Sequence, residues 1–253
     1  MRKRSWCGFF TLFLAFGGNQ VWAQSVAPSQ SATQETTLLQ QSLWDNSPVH
    51  QVNLSGTATW YAGSDVEQGT VTLTATSAGS FNMELSLSDG SRKVTATDLG
   101  PGRECTWSKN GASHQMDYMN CLKPLVWFLP GITLQPGRMP SSVGVDSLGA
   151  VQDKGTSYDR LQAQVVMNGL NSTLLNEAIK RSTMTLDLDP NTLLPAQLHY
   201  SVHPDNGAPV EMQIEVRFSD YQKIDNAEIP FRIRRYVNGS LQLDIEISSA
   251  SLS

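Results

Sequence analysis

The feature that most constrains this chain is a strict alternation of apolar and polar residues near its C-terminal end. Two runs are apolar at every second position: Val210, Met212, Ile214, Val216 and Phe218, and then Leu241, Leu243, Ile245 and Ile247. A period of two predicts β-strands with one apolar and one solvated face. Such strands build an antiparallel sheet that needs a cover on one side only.

The same alternation occurs earlier in the chain, and we count about ten strands in all. The earlier segments are 52–60, 70–76, 81–87, 92–97, 161–167, 184–188 and 198–202. Gly56 marks a bend in the first of them. Turn signals separate several of the others: Asp89-Gly90, Asp189-Pro190-Asn191 and Asp205-Asn206-Gly207.

Three segments have helical character and are candidates to cover the apolar face. They are residues 34–44, 121–129 with a start near Pro124, and 170–179. An open sheet with one apolar face needs helices or a ligand to keep that face dry. The expected fold is therefore mainly β (α+β), a curved antiparallel half-barrel of about ten strands with two or three helices covering the concave face.

The first 23 residues read as a secretory signal peptide. Arg2, Lys3 and Arg4 precede a short apolar run at 9–16, and we expect cleavage between Ala23 and Gln24. The predicted organisation is a signal peptide at 1–23, a flexible leader at 24–33 and a single half-barrel domain at 34–253. The expected location is periplasmic or secreted, with no transmembrane segment in the mature chain.

Charge excludes one class of partner. Removing the three basic residues of the signal peptide lowers the formal net charge from −5 to −8. An acidic chain without a Lys/Arg cluster argues against nucleic acid and anionic membrane surfaces as partners.

Two cysteines remain in the mature chain, Cys105 and Cys121. An oxidising compartment favours a structural disulfide between them, worth about 3 kcal/mol for a short loop.

Motifs for catalysis, metals or cofactors are absent from the sequence. There is no nucleophile elbow, phosphate-binding loop or zinc motif. His199 and His203 are spaced for one face of a strand, but no third metal ligand stands out, so we expect surface histidines. Asp187 and Asp189 fit the solvated face of a strand. We expect no catalytic residue, metal or cofactor.

Aromatic residues are the better functional signal, because large apolar cavities bind apolar molecules. The cavity-lining candidates are Trp60, Trp107, Trp127, Phe128, Leu129 and Tyr200. For each of them an ordinary place in the core is at least as compatible with the sequence. The run at 121–129 is thus either a lid over the concave face or a core plug.

The C-terminal third resembles a known family. Asp189, Thr192 and Leu194-Pro195 form a "D-x-x-T-x-L-P" turn, and the segments 218–221 (FSDY), 229–231 (IPF) and 238–239 (NG) follow it. This order resembles the LolA/LolB-like superfamily of periplasmic lipoprotein carriers. The resemblance implies a half-barrel that holds acyl chains under helices. The cystine loop and a Gly- and Pro-rich insertion at 100–160 depart from it, and the family's release-triggering arginine has no single match.

Three functions follow, in order of preference. The first is a non-enzymatic binding protein for an acyl chain or another apolar ligand, including lipoprotein acyl chains. The second is an envelope structural, interaction or stress-sensing module with a filled core and an envelope protein as partner. The third is a secreted hydrolase, ranked last because four scattered histidines and no motif leave little to catalyse with.

Overall fold

A computed structural model describes residues 30–100, 102–135, 139–166, 172–204 and 210–253. The predicted signal peptide, most of the predicted leader and the turn at 205–207 lie outside the described residues. The helices are α1 (Gln30–Trp44), α2 (Tyr118–Cys121) and α3 (Ser172–Ser182), with a 3₁₀ helix at Pro130–Thr133. The strands are β1 (Gln51–Ala62), β2 (Asp65–Thr76), β3 (Phe81–Leu87), β4 (Gly90–Ala96), β5 (Cys105–Lys109), β6 (Ala112–Gln115), β7 (Val143–Asp153), β8 (Thr156–Val165), β9 (Met184–Leu188), β10 (Pro195–Val202), β11 (Met212–Ile224), β12 (Ala227–Val237) and β13 (Ser240–Leu252).

The described strands form one curved, open antiparallel sheet made of two meanders. Its order is β6-β5-β4-β3-β2-β1-β13-β12-β11-β10-β9-β8-β7. The meanders join where the first strand pairs with the last, from Val52 opposite Leu252 to Trp60 opposite Leu243. A β-bulge at Gly56 lets the two backbones approach so closely that a Cβ there would clash with the Glu246 carbonyl. The predicted half-barrel is confirmed, with more strands than expected.

Alternation determines which face of the sheet is buried. Met83, Leu85 and Leu87 of β3 are buried while the residues between them are not, and Leu243 and Ile245 repeat the pattern on β13. The apolar concave face needs cover because it lies on one side of a single sheet. It obtains this cover from α1 and from the chain between β6 and β7.

Helix α1 packs across the concave face and begins at Gln30, four residues earlier than predicted. Its buried face presents Leu39, Leu43 and Trp44. The Gln40 side chain donates a hydrogen bond to the Gly131 carbonyl (2.8 Å), and a Cβ at Gly131 would clash with Leu43. These contacts fix the helix against the chain that connects β6 to β7.

The connection from β6 to β7 runs from one edge of the sheet to the other beneath the concave face. We call residues 116–135 of this connection the crossing segment. From residue 122 onward its large apolar residues are buried: Leu122, Leu125, Val126, Trp127, Phe128, Leu129, Ile132 and Leu134. The crossing segment therefore fills one part of the concavity and forms a wall over the rest.

The helix predicted at 121–129 is wrong. Helix α2 ends at Cys121, and residues 122–129 are irregular. Pro124 offers no backbone N–H, and the Leu125 N–H points to the Met184 sulfur (3.4 Å) instead of a helical carbonyl. Burial on several sides, and not helical periodicity, explains the unbroken apolar run. The third helix is confirmed, although Leu170 and Asn171 lie outside the described residues.

The segment at 100–160 is an integral part of the sheet and its cover. It carries the edge hairpin β5–β6, the crossing segment, β7 and the start of β8. All four residues of strand β6 are exposed, so its sequence does not alternate between apolar and polar residues. Strand β7 contains Gly144 and Gly149 and a bulge between Ser147 and Gly149. These features hide the period of two, which is why the sequence did not predict these strands.

Candidate functional site

A cavity of about 560 Å³ lies between the concave face and the N-terminal half of the crossing segment. Both meanders contribute to its walls. The first supplies Trp60, Phe81, Met83, Val94 and Trp107, and the second supplies Met184, Tyr200, Val202, Met212, Arg235 and Gln242. Its volume is within the range of about 300–1,000 Å³ that is usual for small-molecule sites.

Helix α2 forms one wall and is tied to both meanders. The Cys105–Cys121 disulfide, with Cα atoms 5.6 Å apart, links it to β5. On the other side, the Asn120 amide donates to the His203 carbonyl (2.6 Å) and accepts from the His203 N–H (2.9 Å). Asp117 caps the helix by accepting from the Met119 N–H. The predicted disulfide is confirmed, and it holds a wall of the cavity.

Aromatic packing shapes the inner end of the cavity. The rings of Trp127 and Phe128 meet edge to face at 5.4 Å, and Phe128 meets Phe81 edge to face at 5.8 Å. Phe128 is fully buried and Leu129 is nearly so. Of the six predicted lining residues, Trp60, Trp107, Trp127 and Tyr200 line the cavity, whereas Phe128 and Leu129 lie in the core behind it. Contact of any of them with a ligand stays a prediction.

Three cationic side chains also line the cavity: Arg103, Lys123 and Arg235. Burial lowers the pKa of Arg103 to about 10, although Asp98 opposes the shift. Burial likewise lowers the pKa of Lys123 to about 8, against the effect of Glu211. The sequence analysis did not identify these residues.

Two local features put polar groups into the apolar wall. Arg235 lies two residues after the buried Ile233 on β12, so both side chains are on the concave face. An arginine at a position where the alternation expects an apolar residue could have identified it from the sequence. Gln242 lies between Leu241 and Leu243 in the alternating run, which predicts the solvated face, but it lines the cavity. The β-bulge opposite Arg235–Tyr236 inserts one extra residue into β13 and changes the face on which Gln242 lies.

A separate polar cluster lies on the convex side of the sheet. Asp187 is fully buried there, and its carboxylate accepts two hydrogen bonds from Arg160 (2.6 and 2.7 Å). The His199 Nε2 lies 3.4 Å from the same carboxylate. The expectation of a solvated Asp187 is therefore wrong, because its cross-strand neighbours cover it. His203 lines the cavity instead, so the two histidines lie in different sites.

The family-like turn has a clear structural role. The Asp189 carboxylate accepts hydrogen bonds from the backbone N–H groups of Asn191 and Thr192 (both 2.9 Å). The hydroxyl of Tyr221, in the 218–221 segment, donates to the Pro195 carbonyl (2.7 Å). The residues that carried the resemblance thus hold β9, β10 and β11 together, which makes them markers of the fold and not of a reaction.

Within the described ranges, no cluster of three or more His, Cys, Asp or Glu side chains is placed to hold a metal ion. Among the same residues, no helix is both long and apolar enough to cross a bilayer.

Comparison with known proteins gives structural relatives only. No family model matches the chain, and neither does any curated protein. A DUF1329 family protein from Desulfovibrio piger has a TM-score of 0.53 at 12% identity, covering 89% of this chain and 94% of that one. A LolA superfamily protein from Nitrosomonas europaea has a TM-score of 0.51 at 10% identity, covering 88% and 93%.

A domain from Vibrio parahaemolyticus, named as a candidate outer membrane lipoprotein-sorting protein, has a TM-score of 0.53 at 8% identity and covers 88% and 91%. At such identities the likeness concerns the fold. It extends over nearly the whole of each relative. The chain therefore has the LolA/LolB-like fold.

Proposed function

We propose that this chain is a non-enzymatic binding protein that carries an acyl chain or a similar apolar ligand in the cavity beneath its crossing segment. The observation that carries the proposal is the cavity itself: about 560 Å³ with walls of Trp, Phe, Met, Val and Tyr side chains. A well-packed core leaves few voids larger than a water molecule, so a cavity of this size supports a binding protein over a module with a filled core.

The names of the structural relatives support the same class of function. One is a LolA superfamily protein, and another is named for lipoprotein sorting. We propose that the ligand is a lipid or the acyl part of a lipoprotein. We further propose that the signal peptide at 1–23 exports the protein to the periplasm or beyond, where an envelope protein receives or supplies the ligand.

Ligand displacement tests this proposal directly. A fluorescent fatty acid such as cis-parinaric acid should bind the purified protein and be displaced by oleate, and native mass spectrometry should detect co-purified lipid. Failure of the protein to bind any acyl chain in these assays would exclude the carrier function.

A matched pair of variants locates the site. Val94→Trp places a large ring in the cavity, whereas Lys93→Trp places the same ring on the exposed opposite face of the same strand. We expect Val94→Trp to lose binding and Lys93→Trp to keep it. Equal binding by both variants would place the ligand elsewhere.

A further inference from the structure

One arginine in the cavity wall is buried without hydrogen-bond partners for much of its guanidinium group. Arg103 is only 8% exposed, and neither its Nε nor its Nη1 has a hydrogen-bond partner. A buried charge is costly unless it is paired, and a buried N–H donor is costly unless it donates a hydrogen bond. This side chain lines the cavity, and two nitrogens of its guanidinium group lack a hydrogen-bond acceptor.

Two more cations lie around one tyrosine on the opposite wall. The Lys123 Nζ lies 6.0 Å from the centre of the Tyr200 ring and donates to the Arg181 carbonyl. Arg235 hydrogen-bonds to the Tyr200 side chain and lies 5.5 Å from the centre of the Trp127 ring, while its Nε has no hydrogen-bond partner. Both residues thus line the same cavity as Arg103.

The charge of the cavity wall is one-sided. Three cations line it, and no Asp or Glu is present among the described lining residues. Glu211 and Asp98 influence Lys123 and Arg103 from outside the lining.

Elsewhere in the described part of the sheet, four arginines are paired with carboxylates, whereas Arg234 is not. Examples are Arg92 with Glu67 (2.6 Å), Arg160 with Asp187 (2.6 Å) and Arg232 with Asp244 (2.7 Å). No salt bridge to Arg103, Lys123 or Arg235 occurs among the described residues. The cavity therefore combines cations that have no carboxylate partner with apolar walls that suit an acyl chain.

We propose that the ligand is an anionic amphiphile whose carboxylate or phosphate head accepts hydrogen bonds from Arg103, Lys123 and Arg235 while its acyl chain lies against the aromatic wall. Guanidinium and ammonium groups form their strongest hydrogen bonds with such oxyanions. This inference rests on the proposed carrier function and narrows its ligand class.

Three probes that share one oleoyl chain separate the head group from the tail: oleate, 1-oleoyl-lysophosphatidic acid and neutral 1-oleoylglycerol. Dissociation constants come from displacement of cis-parinaric acid below the critical micelle concentration. We expect at least one anion to bind about tenfold or more tightly than the neutral lipid, as charge-assisted hydrogen bonds imply. A preference for oleate identifies a free fatty acid as the source, and a preference for the lysophospholipid identifies a phospholipid head.

Substitutions of the cavity-lining cations then show which residues cause the preference for an anionic head group. Arg103→Met and Lys123→Met should weaken anion binding about tenfold and leave 1-oleoylglycerol within about twofold. Arg103→Lys, which keeps the charge, should retain most of the preference. The control Lys93→Met removes an exposed lysine on the opposite face of β4 and should change nothing. Thermal melting confirms folding, and Arg235→Met replaces Arg103→Met if the latter does not fold.

The outcomes distinguish this inference from the proposed function. Equal affinity of the wild type for all three probes, or unchanged anion preference in the folded variants, overturns the anionic head group and leaves the carrier function standing. Absence of binding by all three probes overturns both.

Discussion

At the residue scale, the convex side of the sheet contains a buried charge that the sequence pattern assigned to solvent. Asp187 on β9 lies directly opposite Arg160 on β8, and His199 on β10 approaches it from the other side. Burial raises the pKa of the Asp187 carboxyl, but the hydrogen bonds from Arg160 and the proximity of His199 outweigh this effect, so its pKa is lowered from the usual value of 3.8. The ionised form is the one that the fold stabilises.

Replacing Asp187 by Asn should destabilise the protein in a pH-dependent way. Removing one partner of a buried ion pair costs about 3 kcal/mol or more, and we expect a smaller loss because Arg160 keeps some exposure. An acid with a lowered folded-state pKa contributes stability above its unfolded pKa and loses it as the pH falls through the folded value.

Urea unfolding from pH 7 to pH 2.5 measures this effect. The difference between the wild type and Asp187→Asn should be constant above about pH 5 and shrink below 3.8. The exposed Asp65→Asn variant should stay within about 0.5 kcal/mol of the wild type. A difference between wild type and Asp187→Asn that does not change with pH would contradict the ion-pair explanation.

Residue-level features of the site were only partly predictable. Large aromatics in strands of predicted phase identified Trp60 and Tyr200 as cavity candidates, and both line the cavity. Trp107 also lines it, although its strand β5 was not predicted. The cationic residues were not predicted, because Arg103 and Lys123 lie in irregular segments with no period to indicate a face. Their roles come from tertiary contacts between both meanders, which a local pattern does not encode.

At the element scale, the crossing segment encloses the cavity by covering part of the concave face of the open sheet. Its C-terminal half supplies core residues, and its N-terminal half forms a wall that the disulfide attaches to β5. The sequence indicated its importance through the apolar run at 121–129 but predicted the wrong conformation. The two readings of this run, lid and core plug, each describe one part of it.

Removing the disulfide should weaken both the fold and the site. Cys105→Ser with Cys121→Ser opens a cross-link between residues 16 apart, for which the chain-entropy model gives about 3 kcal/mol. We expect that loss in urea unfolding together with weaker binding of cis-parinaric acid, because α2 loses its attachment to β5. Unchanged ligand affinity in a folded, less stable variant would show that the wall does not need the disulfide.

A substitution at Phe128 tests whether the C-terminal half of the crossing segment is part of the core. It is fully buried between Phe81 and Trp127, so Phe128→Ala should lower the free energy of unfolding by about 3–5 kcal/mol. Leu148→Ala removes a side chain that is 50% exposed on β7 and should change stability by less than about 0.5 kcal/mol. Denaturant unfolding followed by circular dichroism measures both; a small effect at Phe128 would mean that the segment is not part of the core.

At the scale of the whole molecule, the two meanders share one core and one cavity. Local alternation predicted the fold class because most strands have one apolar face. It did not predict the order of the sheet, since the pairing of β1 with β13 joins residues about 200 positions apart in sequence, such as Val52 with Leu252. Non-local pairing of this kind depends on the total packing and not on any one segment.

The shared cavity has a consequence for stability. A ligand that contacts Trp60 and Val94 in one meander and Tyr200 and Met212 in the other binds only when both are folded. Ligand binding to the folded state alone adds RT ln(1 + [L]/Kd) to the free energy of unfolding, or about 2.7 kcal/mol at a hundredfold excess over Kd. Oleate should therefore shift the unfolding of the entire sheet.

Urea titrations with and without oleate, followed both by tryptophan fluorescence and by far-ultraviolet circular dichroism, check this prediction. Both probes should show one transition that moves to higher urea by the same amount, and Val94→Trp should abolish the shift. Lys93→Trp should behave as the wild type. Two separate transitions, of which oleate moves only one, would mean that the meanders unfold independently and that the ligand contacts just one of them.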